Sequence, residues 1–207
     1  MDHGHPGGAS ERRARILAAT ERLLRRYGPA KTTVADIARE AEIAVGAVYL
    51  EFASKDAIVE ELSQEQHRAV MAAMRGAAAE GDRPFCDRLR AVFDARARSF
   101  LSLADGGAHA CDLVHCQSRA VKAAHARFLD EERALLRDLL VRGARAGELH
   151  VEEPEVAARA LLRAYASFAP PWLFEGPREE VEAALAAVHR IVLYGLVRRE
   201  PPPAPRR

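Results

Sequence analysis

Two short helical periods separated by three residues lie between Thr33 and Lys55, and they constrain this chain more than any other stretch. Val34, Ile37, Ala38 and Ala41 recur at helical spacing, with Thr33 placed as an N-cap and Asp36 in the first turn. Glu42-Ile43-Ala44 intervene, and a second helical pattern runs from Val45 to Phe52. A link that tight makes a helix-turn-helix corner, whose second helix can lie in the major groove of DNA. The same corner is architectural in many small helical proteins. Spacing alone therefore leaves a DNA reader and a non-DNA-binding helical adaptor both open.

Residue identities separate them. The run G-A-V-Y-L-E-F-A-S-K, Gly46 to Lys55, strongly resembles the end of the DNA-binding domain in the TetR (tetracycline repressor) family of bacterial regulators. The pattern there is roughly G-[TA]-[LIV]-Y-x-[YHE]-F-x-[SN]-K. Thr33, Ile37, Ala38 and Ala41 fall where that family puts its capping threonine and core positions. The match covers about a quarter of the chain, and the remainder agrees in length and helical character. The resemblance implies an N-terminal three-helix DNA-binding domain followed by a larger helical ligand-binding and dimerisation domain. It also implies a homodimer on a pseudo-palindromic double-stranded operator and a small-molecule inducer that releases a repressor. Tyr49 and Lys55 are, by the same resemblance, phosphate anchors flanking the groove.

Composition agrees with an all-α fold. Of 207 residues 49% are hydrophobic, enough for a real core, and alanine, leucine, arginine and glutamate dominate while β-branched runs are few. A formal net charge of +1 says nothing about DNA for the whole chain. Between Ser10 and Lys55, however, nine basic residues stand against six acidic ones, a mild positive footprint. No run of 18 apolar residues exists and Met1–Ala9 is polar, so neither a membrane span nor a secretion signal is expected. Cys86, Cys111 and Cys116 are odd in number and lack CxxC spacing, which fits a reducing cytoplasm and, for such a regulator, the nucleoid. No GxSxG, HExxH, Walker loop or GxGxxG is present, so the chain does not read as an enzyme and no cofactor is expected.

Taken in order, residues 1–9 read as a disordered arm and Ser10 as the cap of a helix from Glu11 to Tyr27, ended by Gly28. Its arginines, Arg12, Arg13 and Arg15, face either phosphates or solvent. Residues 10–55 form the DNA-binding domain. Ser54 caps a long helix to Ala79, which in the resembled family links the two domains. Helices follow over Phe85–Ala104, Ala108–Ser118 and Arg119–Ala146. Pro154 opens a helix carrying Val156, Ala160, Leu161, Ala164, Tyr165 and Phe168, which Pro170-Pro171 must kink or end. Pro177 opens the last, with Val181, Leu185, Val188, Val192 and Leu196 on one face. This final pair resembles the family's four-helix dimer interface. Residues 56–200 make the ligand-binding and dimerisation domain, and 201–207 a disordered proline-rich tail.

Thr33 can also meet a phosphate through its hydroxyl or backbone N–H, helped by the helix dipole. Base readout falls to Ala44, Val45, Gly46, Ala47 and Leu50, small apolar positions that can meet thymine methyls but cannot form bidentate hydrogen bonds. Glu51 either accepts from cytosine or pairs with a nearby arginine. A reader of this kind leans on methyl contacts and DNA shape. In the second domain Phe93, Phe100, Tyr165, Phe168 and Trp172, with Cys111 and His115, are candidate linings of an inducer pocket. The segment A-H-A-C-D-L-V-H-C places His109, Cys111, Asp112, His115 and Cys116 close together, with His125 a few turns on. That set reads either as a buried thiol pair in a core helix or as a zinc or copper site of a metal-responsive repressor.

Overall fold

A computed structural model of the chain describes residues 6–79, 81–106, 109–115 and 118–195. Among the described residues all regular structure is helical: α1 (Pro6–Tyr27), α2 (Val34–Glu40), α3 (Val45–Glu51), α4 (Lys55–Ala79), α5 (Phe85–Ala104), α6 (Arg119–Arg145), α7 (Pro154–Ala164) and α8 (Arg178–Tyr194), with short 3-10 turns at Ala110–Leu113, Ala166–Phe168 and Trp172–Phe174. The all-α expectation holds.

Two boundaries differ from the sequence reading. The first helix begins at Pro6 instead of Glu11, because proline is tolerated in a helix's first turn, where its missing N–H would have no partner. The rest of the expected arm, residues 1–5, lies outside the described residues, as do Leu196 and the whole expected tail. The helix expected over Ala108–Ser118 is also not formed among its described residues. Its described part is a single 3-10 turn, in which His109 Nδ1 and Asp112 Oδ2 lie 3.0 Å apart. The turn buries Ala110, Leu113 and Val114, so packing overrides the helical spacing of its apolar residues.

Two apolar cores follow from the helix faces. α1, α2 and α3 close the first with Ile16, Leu24, Ile37, Val48 and Phe52. The second lies among α4 to α8 and includes Phe93, Phe100, Phe128, Leu136, Leu139, Tyr165 and Leu185. α4 belongs to both. Its first turns give Ile58, Val59 and Leu62 to the first core, and its later turns give Val70, Met71 and Met74 to the second. Ser54 caps this helix by accepting from the Ala57 N–H at 3.1 Å. The second domain also enters the first core through Leu113, Ala120 and Val121. At the same junction the His109 N–H donates to the Arg25 carbonyl at 3.3 Å. Gly28, at φ +75°, lets the His109 ring sit close: a Cβ there would stand 3.1 Å from its Nδ1.

Polar groups hold the second core in register. Arg96 on α5 and Glu132 on α6 form a buried ion pair at 2.6 Å, and Arg96 also donates to the Tyr165 carbonyl at 2.7 Å. The Tyr165 hydroxyl lies 2.8 Å from His189 Nδ1, whose Nε2 lies 2.9 Å from Asp94. Burial and the Asp94 charge push the Tyr165 hydroxyl up to about 12. These links tie α5, α6 and α8 to the end of α7 through side chains distant in sequence.

The α2–α3 turn carries a local conflict. Glu42 adopts φ +55°, the left-handed region that costs an L side chain about 1–2 kcal/mol. Its side chain is exposed. Glu42→Gly should therefore raise stability by roughly 0.5–1 kcal/mol, after allowing for glycine's extra freedom when unfolded, a Tm gain of roughly 1–4 °C. A thermal melt checks this, and a lowered Tm would show that the turn is not strained.

Candidate nucleic-acid interface

The corner is assembled from short-range chemistry. At the start of α2 the Asp36 N–H donates to Thr33 Oγ1 at 3.2 Å, and the Thr33 N–H donates back to Asp36 Oδ2 at 3.1 Å. This reciprocal capping box also takes the Thr33 hydroxyl, which donates to Asp36 Oδ2 at 2.6 Å. Those hydrogen bonds hold the Asp36 carboxyl below the usual carboxylate range. α2 buries Ile37 and Ala38, and the Ile43 N–H returns to the Ala38 carbonyl at 2.9 Å to close the turn. α3 then starts at Ala44 with no side-chain cap and buries Val48, with Phe52 beneath its end.

The opposite face of α3 meets solvent. Val45 is 42% exposed, Tyr49 54% and Leu50 78%. Ala44 and Gly46 are exposed and Ala47 half-buried. Gly46 has no internal reason to be glycine: a Cβ there would meet no atom within 4 Å. Glycine inside a helix costs about 1 kcal/mol against alanine. The free volume at Gly46 faces outward.

α1 braces this face, and its arginines were not identified as braces from the sequence. Arg12 donates to Glu51 through Nε at 2.8 Å and Nη2 at 2.5 Å. Arg13 donates to the Glu51 carbonyl at 2.9 Å, pairs with Glu61 and lies 4.1 Å over the Phe52 ring. Arg15 reaches the Ala41 carbonyl at 2.5 Å. The three therefore clamp α3 and the turn, Arg12 and Arg13 half-buried and Arg15 still exposed to solvent. Glu51 is accordingly the arginine partner among its two readings. The spacing of Arg12, Arg13 and Arg15 was visible in the sequence, but their acceptors lie 26 to 48 residues away. Lys55 is held as well: its ammonium donates to the carbonyls of Pro29 at 2.8 Å and Thr32 at 2.9 Å, pinning the α1–α2 loop to the start of α4. Lys31 and Arg39 stay exposed beside α2, along a cleft of about 390 Å³ that Tyr27 and Asp36 also line.

Of the candidate pocket residues, four come together in the body. Phe93 stacks on Tyr165 with centroids 3.8 Å apart and Tyr165 lies 6.3 Å from Phe168, while Phe100, edge-on to Phe128 at 5.7 Å, shares their apolar core. Trp172 stays apart, 57% exposed. Cys111, half-buried, and His115, exposed, lie in and just after the 110–113 turn. Burial and the neighbouring Asp112 charge raise the Cys111 thiol above its ordinary value. His109 turns towards Gly28 and Asp112, and Cys116 lies outside the described residues. Among the described residues no group of three or more His, Cys, Asp or Glu side chains is arranged to hold a metal.

The corner is thus a short, exposed, largely apolar helix held rigidly by its two neighbours. The family profile described as bacterial regulatory proteins, tetR family, matches residues 16–62, which contain it. The probable HTH-type transcriptional regulator ArpR of Pseudomonas putida is 29% identical over 166 residues, covering 74% of this chain and 78% of that protein. The HTH-type transcriptional regulator TtgR, also of Pseudomonas putida, matches at the same identity and coverage. Among solved structures, the TetR family transcriptional regulator PfmR of Thermus thermophilus superposes with a TM-score of 0.64 at 26% identity, over 90% of this chain and 98% of that one. The quoted motif, the exposed helix on its brace and this agreement along most of the chain support a TetR family transcriptional regulator.

Proposed function

We propose that the protein is a repressor that binds a pseudo-palindromic operator as a homodimer and leaves it when a small molecule binds the second domain. Residues 10–55 are the reading head, and the chain from residue 56 senses and pairs. The observation that carries this reading is the outward face of α3, with Gly46 bare and Val45, Tyr49 and Leu50 exposed on a rigid mount. A monomer in water gains nothing from that face. Laid in a major groove, the apolar side chains meet thymine methyls and Gly46 lets the backbone approach closely. Tyr49 supplies a hydroxyl for phosphate. Thr33 offers the α2 N-terminus, and Lys55 has one ammonium hydrogen beyond the two it gives to carbonyls. Lys31 and Arg39 extend the positive rim. The proposed setting is the bacterial cytoplasm, at the nucleoid, with no catalytic step. Among the described residues no helix is long and apolar enough to cross a membrane.

Pairing is assigned to α7 and α8. On α8 the exposed Ala183, Ile191 and Tyr194 and the half-buried Ala187 follow helical spacing, and on α7 Val156 and Ala160 are exposed. An operator reader with a seven-residue recognition helix gains its affinity from two half-sites about 34 Å apart. The inducer binds against the wall of Phe93, Phe100, Tyr165 and Phe168. Because α4 is shared by both cores, repacking there tilts α4 and changes the head spacing. A differential affinity of a few kcal/mol between the two spacings is enough to empty the operator.

Four outcomes test the reading, the first three with DNA from upstream of the protein's own coding region as probe. Affinity should fall steeply with salt, and Tyr49→Ala should weaken binding roughly tenfold on every sequence alike. A loss confined to one sequence would contradict its phosphate role. Gly46→Ala should raise the melting temperature while lowering DNA affinity, since the added methyl suits the helix and fills the space left for the groove. Unchanged affinity would remove the close backbone approach. In sedimentation the wild type should be a dimer and Ile191→Arg a monomer; a monomeric wild type would rule out paired half-site binding.

A further inference from the structure

We propose that His67 on α4 and His125 on α6 form a transition-metal site, for zinc or a similar borderline ion, that clasps these two helices. The site takes no ligand from the His109–Cys116 segment, although His115 lies near enough for its charge to act on His125, and it does not rest on the DNA-binding reading. His67 is buried, and its Nδ1 lies 2.8 Å from the Ser63 carbonyl. A carbonyl oxygen can only accept, so Nδ1 carries the hydrogen and donates, and Nε2 presents its lone pair. Metal-ligating histidines are held in this way, the second ring nitrogen tied to a backbone carbonyl that fixes tautomer and orientation. The Nε2 lone pair faces His125 Nδ1 across 3.4 Å. That distance is long for an N–H···N hydrogen bond. It equals the separation, about 3.3–3.4 Å, of two nitrogens each 2.0–2.1 Å from one tetrahedral ion.

The surroundings suit such an ion. Phe128 lies 4.9 Å from the His67 ring and 6.1 Å from that of His125, and Phe100 lies 6.4 Å from His67, so three apolar contacts fix the two imidazoles. The rim cations are already neutralised, Arg127 by Glu60 at 2.6 Å and Arg68 by Glu65 at 3.8 Å. His67, though not His125, lines a cleft of about 130 Å³ between α4 and α6 that is partly open to solvent, so water reaches the edge of the pair. On the same face, one turn before His67, the buried Ser63 Oγ has no hydrogen-bond partner among the described residues. Two neutral imidazoles select zinc, copper, nickel or cobalt over magnesium and calcium.

The test uses the full chain after chelation and dialysis, with Co²⁺ followed by its visible absorption and Zn²⁺ by calorimetry and thermal shift. One equivalent should bind with micromolar affinity, adding nitrogen-ligand bands to the Co²⁺ spectrum and raising the Tm. His67→Ala and His125→Gln should each weaken binding by about 100-fold, the second substitution being at a half-buried position that the fold tolerates more readily. His109→Ala and the double change Cys111→Ser, Cys116→Ser should leave binding unchanged. No binding below millimolar Zn²⁺, binding that survives His125→Gln, or loss in the cysteine variant would overturn the assignment. DNA affinity of the metal-free protein is a separate readout, so failure here leaves the repressor reading standing.

Discussion

α4 has one set of buried residues in each core, and the arrangement of everything else depends on that sharing. Ile58 and Leu62 are locked among α1, α2 and α3, while Met71 and Met74 are locked among α5 and α6. A helix of 25 residues is about 37 Å long, so a rotation of about 5° at one end displaces the other by roughly 3 Å. Close-packed interiors do not absorb such a shift continuously; they change between discrete packings. The head is also held from a second side by Leu113, Ala120 and Val121. The body therefore grips the head at two places, and on the proposed mechanism a change in how α4 and α6 meet is carried to α3 through them.

What keeps the body in one packing is chiefly polar. A purely apolar interface among α5, α6, α7 and α8 would tolerate sliding, since apolar contacts are not directional. The Arg96–Glu132 pair and the Tyr165–His189–Asp94 chain are directional, and they reach from α5 to each of the other three helices or its end. Breaking a buried pair of this type leaves an uncompensated charge, which is costly. Among the described residues the Nε of Arg96 and the Oε2 of Glu132 have no hydrogen-bond partner, so this lock is not fully satisfied. A lock with unused hydrogen-bonding capacity suits the repacking that the proposed induction mechanism requires.

Much of the head was legible in the sequence because its decisive interactions are short-range. The Thr33–Asp36 box spans three residues, and the apolar positions of α2 and α3 repeat within one or two turns. Where partners are far apart in the chain, the sequence was mute. The acceptors of Arg12, Arg13 and Arg15 lie on the turn, α3 and α4. His67 reads only as a polar interruption on a helix face, since its neighbour His125 is 58 residues away. The 110–113 turn shows the opposite failure: its local spacing favoured a helix, and burial of Leu113 in the head decided otherwise. Phe93, Phe100, Tyr165 and Phe168 were read as one wall, and Trp172 was not separable from them because aromatic spacing does not reveal which side of a proline turn faces out.

The chemistry of α3 then limits how the proposed operator can be read. With the Glu51 carboxylate occupied by Arg12, the outward face offers no side-chain group that can form a bidentate contact with a base edge. The Tyr49 hydroxyl is its one side-chain hydrogen-bonding group, and on this reading it is given to phosphate. Discrimination must come from methyl contacts at Val45 and Leu50 and from how easily a sequence takes the shape that brings the groove against Gly46. Methyl contacts are worth less than a bidentate hydrogen-bond pair, so one head distinguishes sequences weakly. Two heads on a fixed spacing add their discrimination energies, and the spacing becomes a criterion in its own right. For a reader with so little hydrogen-bonding capacity, control over the tilt of α4 is therefore control over specificity as well as affinity.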